Sequence, residues 1–191
     1  MDESTVSRMH LPAHRILPFI ESKDIKQRVS EIGREIAVAY PHQDEPLLMV
    51  GILKGAAVFL ADLVRAVPRQ VEYDFVAVSS YGSSTMSSGE VRILKDLDAS
   101  VAGKHVLVVE DILDTGLTLR FSYLLENLKS RNARSVGVCV LLDKPARRKV
   151  AIEVQHCGFA IPDYFVVGYG MDYAEQYRNL DYIGIVEFLE R

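Results

Sequence analysis

Residues 106–116 read VLVVEDILDTG. The four leading apolar residues predict a buried strand. Three carboxylates, Glu110, Asp111 and Asp114, then fall within five positions, ahead of a Thr-Gly turn. Beyond the turn, Leu117, Phe121, Leu124, Leu125 and Leu128 share one helical face. A greasy strand, an acidic end and a helix start thus follow one another without a break.

The same rhythm repeats on either side. LLMVGI (47–52) predicts a buried strand, followed by Lys54-Gly55 and the mostly apolar helix AAVFLADLVRAV. SVGVCVLL (135–142) predicts another buried strand, ending at Lys144. Ile25, Val29, Ile32 and Ile36 mark an amphipathic helix, with Ser22 as its expected cap and Asp24 in its first turn. Strands are also expected at 71–79, 90–94 and 104–110, with shorter ones at 154–159, 164–167 and 182–187. Strands buried on both faces and alternating with helices predict an α/β fold around a mostly parallel twisted sheet. The opening MDESTVSRMHLPAH reads as a polar lead-in. With no repeat or linker in sight, the 191 residues are expected to form one domain, with a core at about 25–187.

Composition narrows the partners. A net charge of -4 argues against nucleic acid as the main partner. No apolar run reaches the length of a membrane span, so no membrane partner is expected. Cys139 and Cys157 lack metal-like spacing, which fits free thiols in a reducing, cytoplasmic setting.

Open sheets of this class bind ligands beyond the carboxyl ends of their strands, which is where the acidic run lies. Backbone N–H groups at the helix start, the hydroxyls of Thr115 and Thr118, and the small Gly116 make a cradle that suits a phosphate. Carboxylates do not suit a phosphate. They suit what accompanies one, either sugar hydroxyls or a Mg²⁺ ion. A helix start decorated with acids is also common and stabilising by itself; three acids at the end of a buried strand favour a site.

VLVVEDILDTGLT resembles the signature with which type I phosphoribosyltransferases bind 5-phosphoribosyl pyrophosphate (PRPP). Four further blocks resemble the hypoxanthine-guanine branch in its bacterial form: GILKGA (51–56), SSYGSSTMSSGEVRI (79–93), LLDKPARR (141–148) and GFAIPDYFVVGYGMDYAEQYRNL (158–180). The resemblance runs from about Ile25 to Glu187.

What it implies is a type I phosphoribosyltransferase fold with a small hood, and a purine salvage activity. The phosphoribosyl group of PRPP would pass to N9 of hypoxanthine or guanine, giving IMP or GMP and pyrophosphate, with Mg²⁺ as cofactor and an oxocarbenium-like transition state. The PRPP residues would be Glu110, Asp111, Asp114, Thr115, Gly116 and Thr118. Lys54, Gly55 and Arg178 would take pyrophosphate, with a cis peptide at Leu53–Lys54. Lys144 would hydrogen-bond the purine 6-oxo group, Phe165 would stack on the ring, and the Val166 main chain would read its edge. Met171 would close the opposite side, and the Asp172 carbonyl would meet the amine of guanine. Asp114 and Lys144 would be catalytic, and Glu110, Asp111 and Asp172 would hold the metal directly or through its environment. The Ser-rich stretch, with six serines between Ser79 and Gly89, would be the hood loop (about 79–90), with Ser80-Tyr81 as its lid dipeptide. A homodimer or homotetramer is implied by the family alone. Enzymes preferring xanthine or only hypoxanthine, and a non-catalytic PRPP-sensing regulator, remain open at this point.

Overall fold

Neighbouring residues of one strand pack against opposite layers, which explains the unbroken apolar runs. The computed structural model describes residues 11–42, 44–80, 91–114, 118–147 and 152–189. In chain order these form β1 (His14–Ile20), α1 (Ser22–Ala39), β2 (Leu47–Ile52), α2 (Ala56–Ala66), β3 (Glu72–Ser80) and β4 (Val91–Lys95). There follow β5 (His105–Leu113), α3 (Thr118–Ser130), β6 (Ser135–Asp143), β7 (His156–Ala160), β8 (Val166–Val167) and β9 (Ile183–Phe188). Among the described residues no helix is long and apolar enough to cross a membrane.

The main sheet has the order β4-β3-β2-β5-β6-β7. Its pairings are parallel except for the antiparallel edge strand β4. Met49 of β2, Leu107 and Val109 of β5, and Cys139 and Leu141 of β6 face α1 and α2, whose Ile25, Val29, Ile32, Ile36, Phe59, Leu60 and Leu63 complete that layer. Leu48, Val50, Val106, Val108, Val138 and Val140 face the other way, onto Phe121, Leu124 and Leu128 of α3. Each central strand therefore needs apolar side chains at every position.

Strand β5 runs three residues beyond the expected end at Glu110, because β6 continues to pair with it through Ile112↔Leu142 and Leu113↔Asp143. Its alternation slips on the way. Val109 and Ile112, three apart, both pack on the α1/α2 layer, while Leu113 packs on the α3 layer. The change falls across Glu110 and Asp111, while pairing with β6 keeps a single register through Leu113.

Two local expectations are corrected. Helix α1 is capped by Glu21 in an extended conformation, without a side-chain cap bond, and Ser22 is its first helical residue. The Glu21 carbonyl instead accepts from the N–H groups of Asp24 and Ile25. The lead-in, for its part, gives way at His14 to β1, which pairs antiparallel with β9. With β8 these strands make a separate three-stranded sheet, β1-β9-β8. Pro18 and a register shift between Pro18 and Ile20 break the pattern that would have announced the strand.

Candidate active site

Four parallel strands contribute to one cleft of about 310 Å³. From the end of β2 come Ile52, Leu53, Lys54 and Gly55; from β3, Val78; from β5, Glu110, Asp111, Ile112 and Asp114; and beyond β6, Lys144. The segment around β8 supplies Phe165, Val166, Met171, Asp172 and Arg178. The cleft thus gathers every described site residue expected above whose side chain is placed. Thr115, Gly116 and Tyr81 lie outside the described residues, and so do the side chains of Ser80 and Thr118. The sequence reading missed Ile52, Val78 and Ile112, apolar residues that nothing distinguished from core.

Lys144 is buried, its ammonium 2.9 Å from Asp114 Oδ2 and 3.5 Å from Asp163 Oδ1. Its backbone N–H donates to the Leu113 carbonyl at 3.2 Å, tying the end of β6 to the end of β5. The amine is therefore aimed at the cleft by charge on one side and main chain on the other. Asp163 escaped the sequence reading because only the return of the chain toward β8 brings it to Lys144.

The Leu53–Lys54 peptide is cis, as the resemblance implied. Gly55, which follows, lies against Asp111: a Cβ there would stand 1.8 Å from Asp111 Oδ2. A side chain at Gly170 would meet the Gly55 carbonyl oxygen at 2.2 Å. The loops after β2 and β8 touch through main chain, with the Asp111 carboxylate beneath them.

Arg178 spans this junction. Its Nη1 donates to the Gly170 carbonyl at 2.8 Å, and its Nη2 lies 2.8 Å from Asp172 Oδ1. The turn that carries these groups has a left-handed backbone at Tyr169, Ala174, Glu175 and Tyr177 as well as at Gly168 and Gly170. The four that are not glycine cost about 1–3 kcal/mol each and persist where surroundings enforce them, typically at sites. One enforcing contact is the Tyr169 hydroxyl, which donates to Asp62 Oδ2 of α2 at 2.6 Å.

Phe165 is partly exposed to the cleft and braced from behind. Phe188 of β9 stacks on it at 6.2 Å and 13°, and Tyr173 meets it edge-on at 5.2 Å. His14 of β1 packs edge-on against Tyr173 at 5.4 Å. The small sheet thus supports the ring, a role invisible in the sequence as long as β1 was unread.

Electrostatically the floor of the cleft is acidic. Burial pushes the Glu110 carboxyl well above the usual carboxylate range, and the charge of Asp111 pushes it the same way. Burial likewise raises Asp111 to about 6, against the pull of the Ile112 N–H and Arg178. Glu110 Oε2 is buried without a hydrogen-bond partner among the described residues. The folded chain thus holds these protons more tightly than the unfolded chain. Stability from this source is greatest below pH about 4 and falls as pH rises through about 6, Asp111 alone contributing a loss of about 3 kcal/mol. Glu110→Gln is accordingly expected to raise the melting temperature of the ligand-free protein at pH about 7.5 and leave it nearly unchanged at pH about 4. Thermal melts at the two values check this, and equal shifts at both would contradict it.

Two buried carboxylates, one oxygen without a partner, fit a cation that would keep them ionised. Among the described residues no three His, Cys, Asp or Glu side chains converge as a metal-holding group. Two carboxylate oxygen donors are a set that a hard cation such as Mg²⁺ can use together with oxygens from a ligand.

Comparison with known proteins adds the following. The profile of the phosphoribosyl transferase domain matches residues 21–174. The hypoxanthine-guanine phosphoribosyltransferase of Bacillus subtilis (strain 168) is 52% identical over 168 residues, covering 88% of this chain and 91% of that protein. The bifunctional protein TilS/HprT of Listeria innocua is 50% identical over 179 residues, 94% of this chain, which spans only 27% of that longer protein. A crystal structure of a hypoxanthine phosphoribosyltransferase from Staphylococcus aureus superposes with a TM-score of 0.81 at 45% identity, covering 89% of this chain and 92% of that one.

Proposed function

The chain belongs to the phosphoribosyltransferase family, and from that premise we propose that it transfers the phosphoribosyl group of PRPP to N9 of a 6-oxopurine, hypoxanthine or guanine, releasing pyrophosphate. One observation carries this reading. Buried Lys144, paired with half-buried Asp114, lines the same cleft as Phe165 and the two buried carboxylates Glu110 and Asp111.

Each part has a physical task. Phe165 and Met171 sandwich the base, and the Val166 main chain reads its edge. The Lys144 ammonium donates to the 6-oxo oxygen and would face another donor in adenine. The Asp172 carbonyl accepts from the exocyclic amine of guanine. Asp114, held by Lys144, sits beside the place where N7 would lie and receives or electrostatically balances its proton. Glu110 and Asp111 hold the ribose hydroxyls, while Thr115, Gly116 and Thr118 cradle the 5-phosphate. Lys54, Gly55 and Arg178 take the departing pyrophosphate through charge-assisted hydrogen bonds.

Glu110, Asp111 and Asp172 are the residues that would hold Mg²⁺ or orient its ligands, and the ion supplies neutralising charge for the leaving group. The transition state is oxocarbenium-like, so water must be kept away; the Ser80-Tyr81 lid is the segment assigned to that. No covalent nucleophile is needed, and catalysis rests on positioning and charge. The chain works in the cytoplasm on small molecules, as a homodimer or homotetramer.

Calorimetric titration with PRPP tests the half of the site that recognises it. Binding is expected with Mg²⁺ and is expected to weaken strongly once the metal is chelated. Equal affinity in both conditions would contradict the role given to the acidic floor.

A further inference from the structure

Glu175 presents each oxygen of one carboxylate to a different cation of the pyrophosphate subsite. Its Oε2 lies 3.0 Å from Lys54 Nζ, and its Oε1 lies 3.5 Å from Arg178 Nη2. Its backbone is left-handed, with φ 64°, and its N–H donates to Asp172 Oδ2 at 2.8 Å, which fixes the direction in which the side chain leaves the turn. Lys54 and Glu175 are both about two-thirds exposed. The Lys54 bond and charge hold the Glu175 carboxyl below the usual carboxylate range, so it is an anion across the physiological span.

We infer that Glu175 is a tethered anion occupying the pyrophosphate subsite, which keeps Lys54 and Arg178 oriented in the empty enzyme, is displaced when the diphosphate binds, and recaptures both cations when pyrophosphate leaves. The inference rests on the assignment of Lys54 and Arg178 to pyrophosphate under Proposed function. Its physics is competition. A carboxylate on the same chain has a local concentration on the order of millimolar, so an incoming anion must outbid it for both cations. An exposed carboxylate–cation contact shifts an equilibrium only about two- to fivefold, weak enough to yield to a diphosphate that offers both cations charged oxygens at once. Glu175 thereby lowers the affinity for the leaving group without removing the groups that bind it, and so speeds product release.

The test is calorimetric titration of pyrophosphate, with Mg²⁺ present, into the parent, Glu175→Gln, Glu175→Ala, Lys54→Ala and the Lys54→Ala/Glu175→Gln double variant. Glu72→Gln serves as a charge control, since that carboxylate, at the start of β3, pairs with Lys104. Both Glu175 variants are expected to bind pyrophosphate roughly three- to tenfold more tightly, with slower dissociation. Lys54→Ala is expected to cost more affinity in the Glu175→Gln background than in the parent, where Lys54 must first release Glu175. Unchanged or weaker binding in both Glu175 variants, while the parent still binds, would overturn the inference alone. Equal tightening by Glu72→Gln would reduce the effect to net charge and overturn it as well. Failure of the parent to bind pyrophosphate would instead overturn the assignment of the subsite, and the inference with it.

Discussion

Asp114→Asn is expected to lower kcat with hypoxanthine by about two to four orders of magnitude, with a much smaller change in the KM for PRPP. The amide keeps the shape and can still accept from Lys144, which retains Asp163 at 3.5 Å as a charged partner. It cannot take a proton, and it removes the negative charge that would balance one at the base. Asp114 lies on the strand end rather than in the core, so the melting temperature is expected to stay within a few degrees of the parent, roughly the span of a 1 kcal/mol change. Steady-state kinetics and a thermal melt of the same preparation check both halves. Near-normal kcat would remove Asp114 from the chemistry.

Lys144→Met should act on the other substrate. Methionine fills the volume of the stem but donates nothing to a 6-oxo group, and it leaves two carboxylates, Asp114 and Asp163, facing each other without the intervening cation. Loss of a charge-assisted hydrogen bond in a closed site costs about 1.5–3 kcal/mol, and the unbalanced carboxylates add to that. A fall in kcat/KM for hypoxanthine of at least about a hundredfold is expected. Affinity for PRPP should change far less, because the groups assigned to it lie on β2, β5 and the turn after β8. Binding of purine and of PRPP to the variant, measured separately, resolves the two. Equal losses on both would mean that Lys144 supports the whole cleft rather than reading the base.

The parts of this protein that were legible in its sequence are those governed by period and position. The stretches 47–50, 106–109 and 138–142 are apolar at every residue because each strand serves two layers, and that pattern implies a covered parallel sheet without further help. The acidic end of β5 stood out because three carboxylates follow such a run within five positions, at the strand end where open sheets bind ligands. The short sheet stayed hidden for a reason of the same kind: β1 is an edge strand with several exposed positions and a proline, so it carries neither a period-two pattern nor an unbroken apolar one. Ser22 looked like a cap by residue type, yet cap position is set by where the backbone turns helical, one residue earlier. Glu175 and Asp163 illustrate the deeper limit. Their contacts with Lys54 and Lys144 join residues 121 and 19 positions apart. The first also depends on a left-handed turn, which no propensity announces at a glutamate.

The slip of alternation in β5 belongs to neither category. An ideal strand would send Glu110 and Asp111 to opposite layers, burying one acid under α3. Here both line the cleft beside Ile112, where Gly55 has no side chain to compete with Asp111 for space.

The most direct measurement is a spectrophotometric assay with PRPP and Mg²⁺ against hypoxanthine, guanine, xanthine and adenine in parallel, with pyrophosphate release followed in the same samples. Turnover of hypoxanthine or guanine, silence on adenine and loss of activity on chelation are the predicted results. Silence on all four bases by a protein that still binds PRPP would contradict the enzyme and leave a PRPP-binding regulator in its place.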